Sequence, residues 1–451
     1  MTEHTEKRKY DIVRAACLET LVHFEQGEPF DKAVRYATQN KNFRPIDKRF
    51  YLQLVNGTVK MKRRLDHEIK FYLAKPSAKL PFKLHNILRL GFYQLKFTDR
   101  IPDAAAVSES VNLANFMCGK PKANLVNAVM RASLREPHKV KFANKDDEPV
   151  KYLGDFYSYP DHFVEYCLKE FGFENTEKLL AYYNEPPHVT YRVNFLKTKP
   201  AEVAELMKQN EVEFSEGKYL PEFLHILSSG LPLEKELIQS GKVYVQDESS
   251  GMAVRLLNPR PGNNVVDLTA APGGKTTYAA IRMRNKGRVT AIDKTRERLE
   301  MLVENAERLG VSIISPVIAD MYDFKGEGFD RVLLDPPCSG WGTAGKHSDL
   351  RWTKNESDIA KLARIQISML GRASKLVKPG GTLVYSTCTI IRQENDQIVE
   401  EFLLTHKDFE IESASEYFPD DIVSSRGFVK TYPFIDKLDG SFCARLRRKA
   451  Q

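Results

Sequence analysis

Two of the chain's six cysteines sit in settings unlike the rest. Cys338 falls in Asp335-Pro-Pro-Cys-Ser-Gly340 and Cys388 in Ser386-Thr-Cys-Thr389, each just past a short apolar run, Arg331–Leu334 and Thr382–Tyr385. Such a run reads as a strand whose carboxyl end faces a ligand, the usual binding place in an open α/β sheet. Sheet order would bring the two ends together, so both thiols and the Asp335 carboxylate could share one pocket. One reaction that needs this set is methylation of cytosine at carbon 5. That carbon is too weak a nucleophile to take a methyl group from a sulfonium directly. A thiolate adding at carbon 6 makes the ring enamine-like. A carboxyl group at N3 assists, and a second group removes the carbon 5 proton before the thiolate leaves. Chemistry alone does not rank the two cysteines.

The string Asp267-Leu-Thr-Ala-Ala-Pro-Gly-Gly-Lys-Thr276 adds a strand end that runs through a glycine turn into a helix. Glycines admit close backbone approach, and a helix start presents unpaired N–H groups. Neither the GxGxxG nor the GxxxxGK[ST] spacing is met, which counts against a nicotinamide-dependent dehydrogenase. Asp293 closes the run Val289–Ile292, 26 residues after Asp267, near where a Rossmann-type acidic residue binds ribose hydroxyls. Asp320, after Val317–Ala319, is a candidate for the adenine amine.

These motifs need a scaffold. From about 241 strands alternate with helices: Val265–Leu268, Lys275–Met283, Val289–Ile292, Arg296–Leu309, Val317–Ala319, Arg331–Leu334, Ile359–Leu376 and, after Pro379-Gly-Gly381, Thr382–Tyr385. This predicts a mostly parallel, Rossmann-like sheet over 241–451. Residues 141–240 read as a small α+β connector, with a strand at Val189–Asn194 and a helix at Pro200–Gln209. Residues 1–140 read as an all-α domain, with helices over Tyr10–Phe24, Lys48–Leu65, Phe82–Gln94, Ala104–Met117 and Ala123–Leu134, punctuated by Pro76, Pro81, Pro102 and Pro121.

Charge follows the same division. Residues 1–140 carry 26 Lys+Arg against 14 Asp+Glu, an excess of twelve in a chain whose net charge is +8, so the remainder is acidic by four. A basic helical third beside an acidic remainder suits docking of a polyanion. With 42% hydrophobic and 28% charged residues and no run near 18 apolar residues, the chain reads as soluble, cytoplasmic, free of membrane contact and monomeric. No CxxC pair appears, so no metal is expected.

The strings Asp267–Thr276, Asp335–Gly340 and Ser386–Thr389, with Val245–Ala253, Arg192-Val-Asn194 and Gly345–Trp352, resemble the RNA cytosine-C5 methyltransferases of the Sun/Fmu (NOL1/NOP2/Sun) family over roughly 190–440. The resemblance implies a class I methyltransferase fold and S-adenosylmethionine as cofactor. The cofactor site would comprise Thr269, Ala270, Ala271, Pro272, Gly273, Gly274, Lys275, Asp293, Asp320 and Asp335. Cys388 would be the nucleophile, Cys338 would help release product, and Lys275 would lie near the reacting base. DNA cytosine methyltransferases use the Pro-Cys cysteine instead. Thr269 stands where the family often has Cys, and Pro336 where Ala is usual; both are expected to act through backbone or packing.

Phe50–Arg64, His85–Gln94 and Val107–Arg131 resemble the helical NusB-like RNA-binding domain. That pairing is the arrangement of the family's bacterial enzymes acting on 16S ribosomal RNA, which makes 16S RNA the implied partner. The same chemistry on transfer RNA or another ribosomal site, and a non-catalytic RNA-binding assembly factor, are the competing readings. Trp341, Trp352 and Tyr385 flank the motifs and are candidates to stack on a base turned out of its helix.

Overall fold

The computed structural model describes residues 10–76, 79–228 and 231–450. The chain packs as two compact units. One comprises the chain to Asn184 together with His347–Thr353, the other Glu185–Lys346 and Lys354 onward.

The first unit is helical. Helix α1 (Ile12–Glu25) starts at Asp11, whose carboxylate accepts from Arg14 N at 2.7 Å and so satisfies a first-turn donor. Then come α2 (Phe30–Thr38), α3 (Pro45–Lys60) and α4 (Lys62–Lys70). The pattern over 48–65 predicts one helix, but Met61, at φ −94° and ψ 13°, divides it. The break lets Leu54 and Val55 before it and Leu65 and Ile69 after it all reach the core. Helices α5 (Phe82–Phe97), α6 (Asp103–Cys118) and α7 (Lys120–Arg135) complete that core with Leu84, Ile87, Leu88, Phe92, Val126 and Met130. Pro121, expected as punctuation, sits inside the first turn of α7, where a missing N–H costs nothing. Helices α8 (Pro149–Tyr157) and α9 (Asp161–Asn184, kinked at Gly172 with φ 73°) pack with this unit, and so does the short helical turn Leu350–Thr353.

The second unit carries two sheets. The smaller is antiparallel, order β2-β3-β1-β4, from β1 (Val189–Val193), β2 (Phe214–Glu216), β3 (Phe223–Ile226) and β4 (Val243–Val245), with α10 (Pro200–Gln209) and α11 (Leu231–Gln239) between strands. After α12 (Glu248–Leu257) the large sheet begins. Its elements are β5 (Asn264–Asp267), α13 (Gly274–Arg282), β6 (Arg288–Asp293), α14 (Arg296–Leu309), β7 (Ile314–Ile318), β8 (Phe329–Leu334), α15 (Glu356–Ser374), β9 (Val377–Thr387), α16 (Asp396–Thr405), β10 (Phe409–Ile411), β11 (Val429–Thr431) and β12 (Ser441–Arg448). Strand order is β10-β12-β9-β8-β5-β6-β7, with β11 on β12. Strands β5 to β9 run parallel, and β12 pairs antiparallel with β9. Because β5 lies between β6 and β8, the order of strand addition reverses there. A crevice therefore opens at the carboxyl ends of β5, β6, β8 and β9.

Two expectations shift. The strand expected at 317–319 lies at 314–318, and its Pro316 is tolerated because β7 is an edge. Pro379-Gly-Gly381 does not stop the preceding helix, which already ends at Ser374. It lies within β9, where pairing with β8 shifts register between Phe329 and Arg331. Among the described residues no helix is long and apolar enough to cross a membrane.

Candidate active site

Strand β5 delivers Asp267 to the floor of the crevice. Its carboxylate accepts from Thr276 Oγ1 at 2.7 Å and from Thr269 N at 3.3 Å, and burial, outweighing these bonds, pushes it up to about 6. That pair of bonds folds residues 268–273 into a tight loop. At its end Gly273 caps α13 with φ 105°, and a Cβ there would press on Leu302 at 2.9 Å. Arg298, in the first turn of α14, holds the loop from outside by donating to the Ala271 carbonyl at 2.6 Å.

Beside the loop is a cavity of about 490 Å³ whose lining includes Thr269, Ala271, Asp293, Asp320 and Asp335. Asp293 Oδ1 accepts from Thr295 N at 3.0 Å, and its Oδ2 lies 3.8 Å from Arg298. Asp320 Oδ1 accepts from Tyr322 N at 3.0 Å. Ala270, Pro272, Gly273, Gly274 and Lys275 do not line this cavity; they shape the loop and the helix start behind it. Met321, Tyr322, Ile365, Met369, Lys294 and Arg298 also line it, and no motif in the sequence marks them. Ile365 and Met369 are spaced i,i+4 on α15, a pattern that reads as core, and Arg298 reads as a solvated helix charge.

The chemistry-bearing groups gather next to it. Lys275 Nζ donates to Asp335 Oδ2 at 2.6 Å, and Ser386 Oγ donates to Asp335 Oδ1 at 2.9 Å. Burial opposes the ammonium, but the Asp335 carboxylate outweighs it and holds Lys275 above the usual lysine range. Thr269 is not a backbone-only substitution: its hydroxyl donates to the Asp335 carbonyl at 2.9 Å and accepts from Asp335 N at 3.2 Å, tying β5 to β8. Cys338 Sγ and Cys388 Sγ lie 3.3 Å apart, the first half-buried, the second exposed. The hydrogen bond with Cys388 pushes the Cys338 thiol well above its ordinary value, and burial adds to it. Gly342 donates its N–H to the Cys388 carbonyl at 3.0 Å, and a Cβ there would run into the Gly440 carbonyl first and the Cys388 carbonyl second. The arrangement offers an exposed sulfur nucleophile, a second sulfur able to hold a proton beside it, and a carboxylate oriented by a cation.

Of the three aromatic residues, two are not stacking surfaces. Trp341 and Tyr385 are fully buried, and Tyr385 Oη donates to the Glu394 carbonyl at 2.7 Å. Trp352 belongs to the helical unit, where its Nε1 donates to the Val59 carbonyl at 2.7 Å. Among the described residues no group of three or more His, Cys, Asp or Glu side chains is arranged to hold a metal.

Comparison with known proteins agrees with this geometry. Residues 254–447 match the family described as 16S rRNA methyltransferase RsmB/F, residues 11–135 the NusB family, and residues 159–232 the ferredoxin-like domain of RsmF/B-like methyltransferases. The probable ribosomal RNA small subunit methyltransferase B of Bacillus subtilis (strain 168) is 35% identical over 449 residues, covering 98% of this chain and 100% of that protein. Its counterpart from Synechocystis sp. is 36% identical over 426 residues, covering 93% and 95%. The crystal structure of PH0851 superposes with a TM-score of 0.78 at 27% identity, covering 97% of this chain and 98% of that one. This chain belongs to the RsmB/F family of RNA methyltransferases.

Proposed function

We propose that this methyltransferase transfers a methyl group from S-adenosylmethionine to carbon 5 of a cytosine in 16S ribosomal RNA, through a covalent bond from Cys388 to carbon 6. One observation carries the reading: two thiols 3.3 Å apart at the end of a sheet, beside an aspartate whose two oxygens are fixed by Lys275 and Ser386. The cavity suits a nucleoside cofactor, since Asp293 and Asp320 offer acceptors for hydroxyl and amine groups, while Ile365 and Met369 offer an apolar wall. The cofactor supplies an electrophilic methyl group. Cys388 adds to carbon 6 as its thiolate, and the ring's π pair moves to carbon 5, while Asp335 faces ring N3. After carbon 5 has bonded to the methyl carbon, water in the crevice takes its proton, and the electrons of that C–H bond re-form the ring double bond as the Cys388 sulfur leaves with its bonding pair as a thiolate. Cys338 holds a proton at the sulfur beside the nucleophile and assists that departure. The basic excess of 1–140 supports this helical domain as the RNA-docking part, with 141–240 as connector and 241–451 as catalytic domain.

The test uses purified protein, 16S RNA and labelled cofactor. Cys388→Ala is expected to abolish transfer while cofactor binding persists, and Cys338→Ala to accumulate a denaturation-resistant RNA–protein adduct. Turnover by Cys388→Ala would sink the nucleophile assignment. Bisulfite sequencing of RNA from cells lacking the gene identifies the acceptor. Loss of a 16S signal supports the reading, and loss confined to transfer RNA or another ribosomal site moves the substrate there. No loss at all leaves a non-catalytic assembly factor.

A further inference from the structure

The two cysteine loops are joined by a buried strut outside the sheet. Glu394 closes the short turn Arg392–Glu394 before α16 and is fully buried. Its Oε1 accepts from Ser339 N at 2.8 Å and from Gln366 Nε2 at 2.9 Å, and its Oε2 accepts from the Ser339 hydroxyl. With that proton committed, Ser339 Oγ is left to accept from Thr389 Oγ1, 2.9 Å away. Gln366 also donates to the Pro337 carbonyl at 3.0 Å. The neighbouring Asn395 donates to the Thr389 carbonyl at 2.8 Å and accepts from Thr387 Oγ1 at 2.5 Å. Residues on both sides of each cysteine are thus gripped, Ser339, Thr387 and Thr389 by Glu394 and Asn395 and Pro337 by Gln366 of α15, while the thiols are left to each other.

Resting on the reading of these thiols as the reacting groups, we propose that Glu394 is a positioning residue that sets the spacing of Cys338 and Cys388. It fixes the backbone beside one cysteine against the side chain beside the other, so that the Cys338 thiol stays within reach of the Cys388 sulfur that bonds the substrate. Fully buried, with both oxygens engaged by its neighbours, the carboxyl group cannot touch RNA and acts only through Ser339, Gln366 and Thr389. Burial raises its pKa and these donors work the other way. A group placed for geometry should tolerate loss of charge but not loss of length. The Gln amide oxygen can take the Ser339 and Gln366 N–H donors, and its amino group can donate to Ser339 Oγ.

The thiol spacing can be read without RNA. Diamide takes up one hydrogen from each of two thiols as an S–S bond forms, so the rate of Cys338–Cys388 pairing reports their separation. A Cys118→Ser background removes the other partly accessible thiol. Glu394→Ala is expected to slow pairing and turnover at least tenfold with cofactor affinity unchanged. Glu394→Gln should recover most of both rates, and Glu394→Asp, one methylene shorter, should not. If the alanine variant does not fold, Ser339→Ala, which keeps the N–H but loses the bridging hydroxyl, carries the test with a several-fold slowing. Wild-type pairing in Glu394→Ala, or in Ser339→Ala, would overturn the proposal. So would a Gln variant as impaired as the alanine one, since charge rather than spacing would then matter. Slowed pairing in a protein that methylates no cytosine leaves the strut standing and removes the proposed reaction.

Discussion

Each unit buries positive charge, and does so to a different end. In the sheet unit Lys275 meets the Asp335 carboxylate at 2.6 Å and is held charged. In the helical unit Arg351 is fully buried among oxygens with no formal charge. It donates to Asn184 Oδ1 at 2.8 Å and to the carbonyls of Tyr183 at 3.2 Å, Lys60 at 3.3 Å and Ser158 at 3.3 Å, with its guanidinium carbon 3.8 Å from the Tyr159 ring centre. Burial lowers it to about 10. Lys60, nearby, donates to the Tyr183 carbonyl at 2.9 Å and is lowered to about 7, by burial first and by Arg351 second. The first cation orients an anion that must be available to a substrate. The other two clasp helix ends through partial charges, which hold the backbone while leaving the cations poorly compensated.

The clasp is the most stability-sensitive point of the two. Arg351→Ala strands several buried acceptors at the ends of α3 and α9 and removes the contact over Tyr159. The loss is expected to be about 3 kcal/mol of local stability. It should appear as lost hydrogen-exchange protection in α3 and α9, and protection unchanged in those helices would show that the carbonyls find other donors. Lys275→Met acts on chemistry instead. Asp335 keeps Ser386 but loses its cation, and turnover should fall about 100-fold, or ~2.7 kcal/mol in the barrier. The pair is partly solvated, so unfolding should move less than for Arg351→Ala. A variant with full turnover would mean that Lys275 merely fills the space behind the loop.

The same contrast separates what the sequence reveals from what it hides. Asp267, Asp335, Cys338 and Cys388 were legible because each ends an apolar run with a residue type that does chemistry, and the alternation of runs and helices placed those ends on one edge. The fold of the sheet region followed from that period. Helices α8 and α9 are not legible in the sequence, since 149–184 is rich in aromatic residues and lacks a clean polar face. Gly345–Trp352 groups with the catalytic motifs by resemblance, yet His347–Thr353 packs in the helical unit. Arg351 finds its partners at helix ends about 170 to 290 residues earlier, and no local pattern encodes that. Glu394 is hidden for a like reason: a lone glutamate before a helix reads as a favourable first-turn charge.

The smallest effect is also the one that isolates the clasp's electrostatics. Lys60 has a folded-state pKa near 7, below the unfolded value of 10.5. Between those values the unfolded chain binds the extra proton, so stability rises with pH across that window and is lost as pH falls through 7. From pH 6 to pH 8 the gain expected from this one group is about 1 kcal/mol. Asp439, pushed up to about 7 by burial and then by Asp247, and Asp267, pushed up to about 6 by burial, contribute with the opposite sign in the sheet unit. Local exchange in α3 separates Lys60 from both, because Asp267 and Asp439 lie outside the helical unit. Lys60→Met should flatten the rise seen in α3 while leaving the sheet unit's own pH response in place. A rise that survives the substitution would assign it to another group, and the cation that yields its proton would not be Lys60.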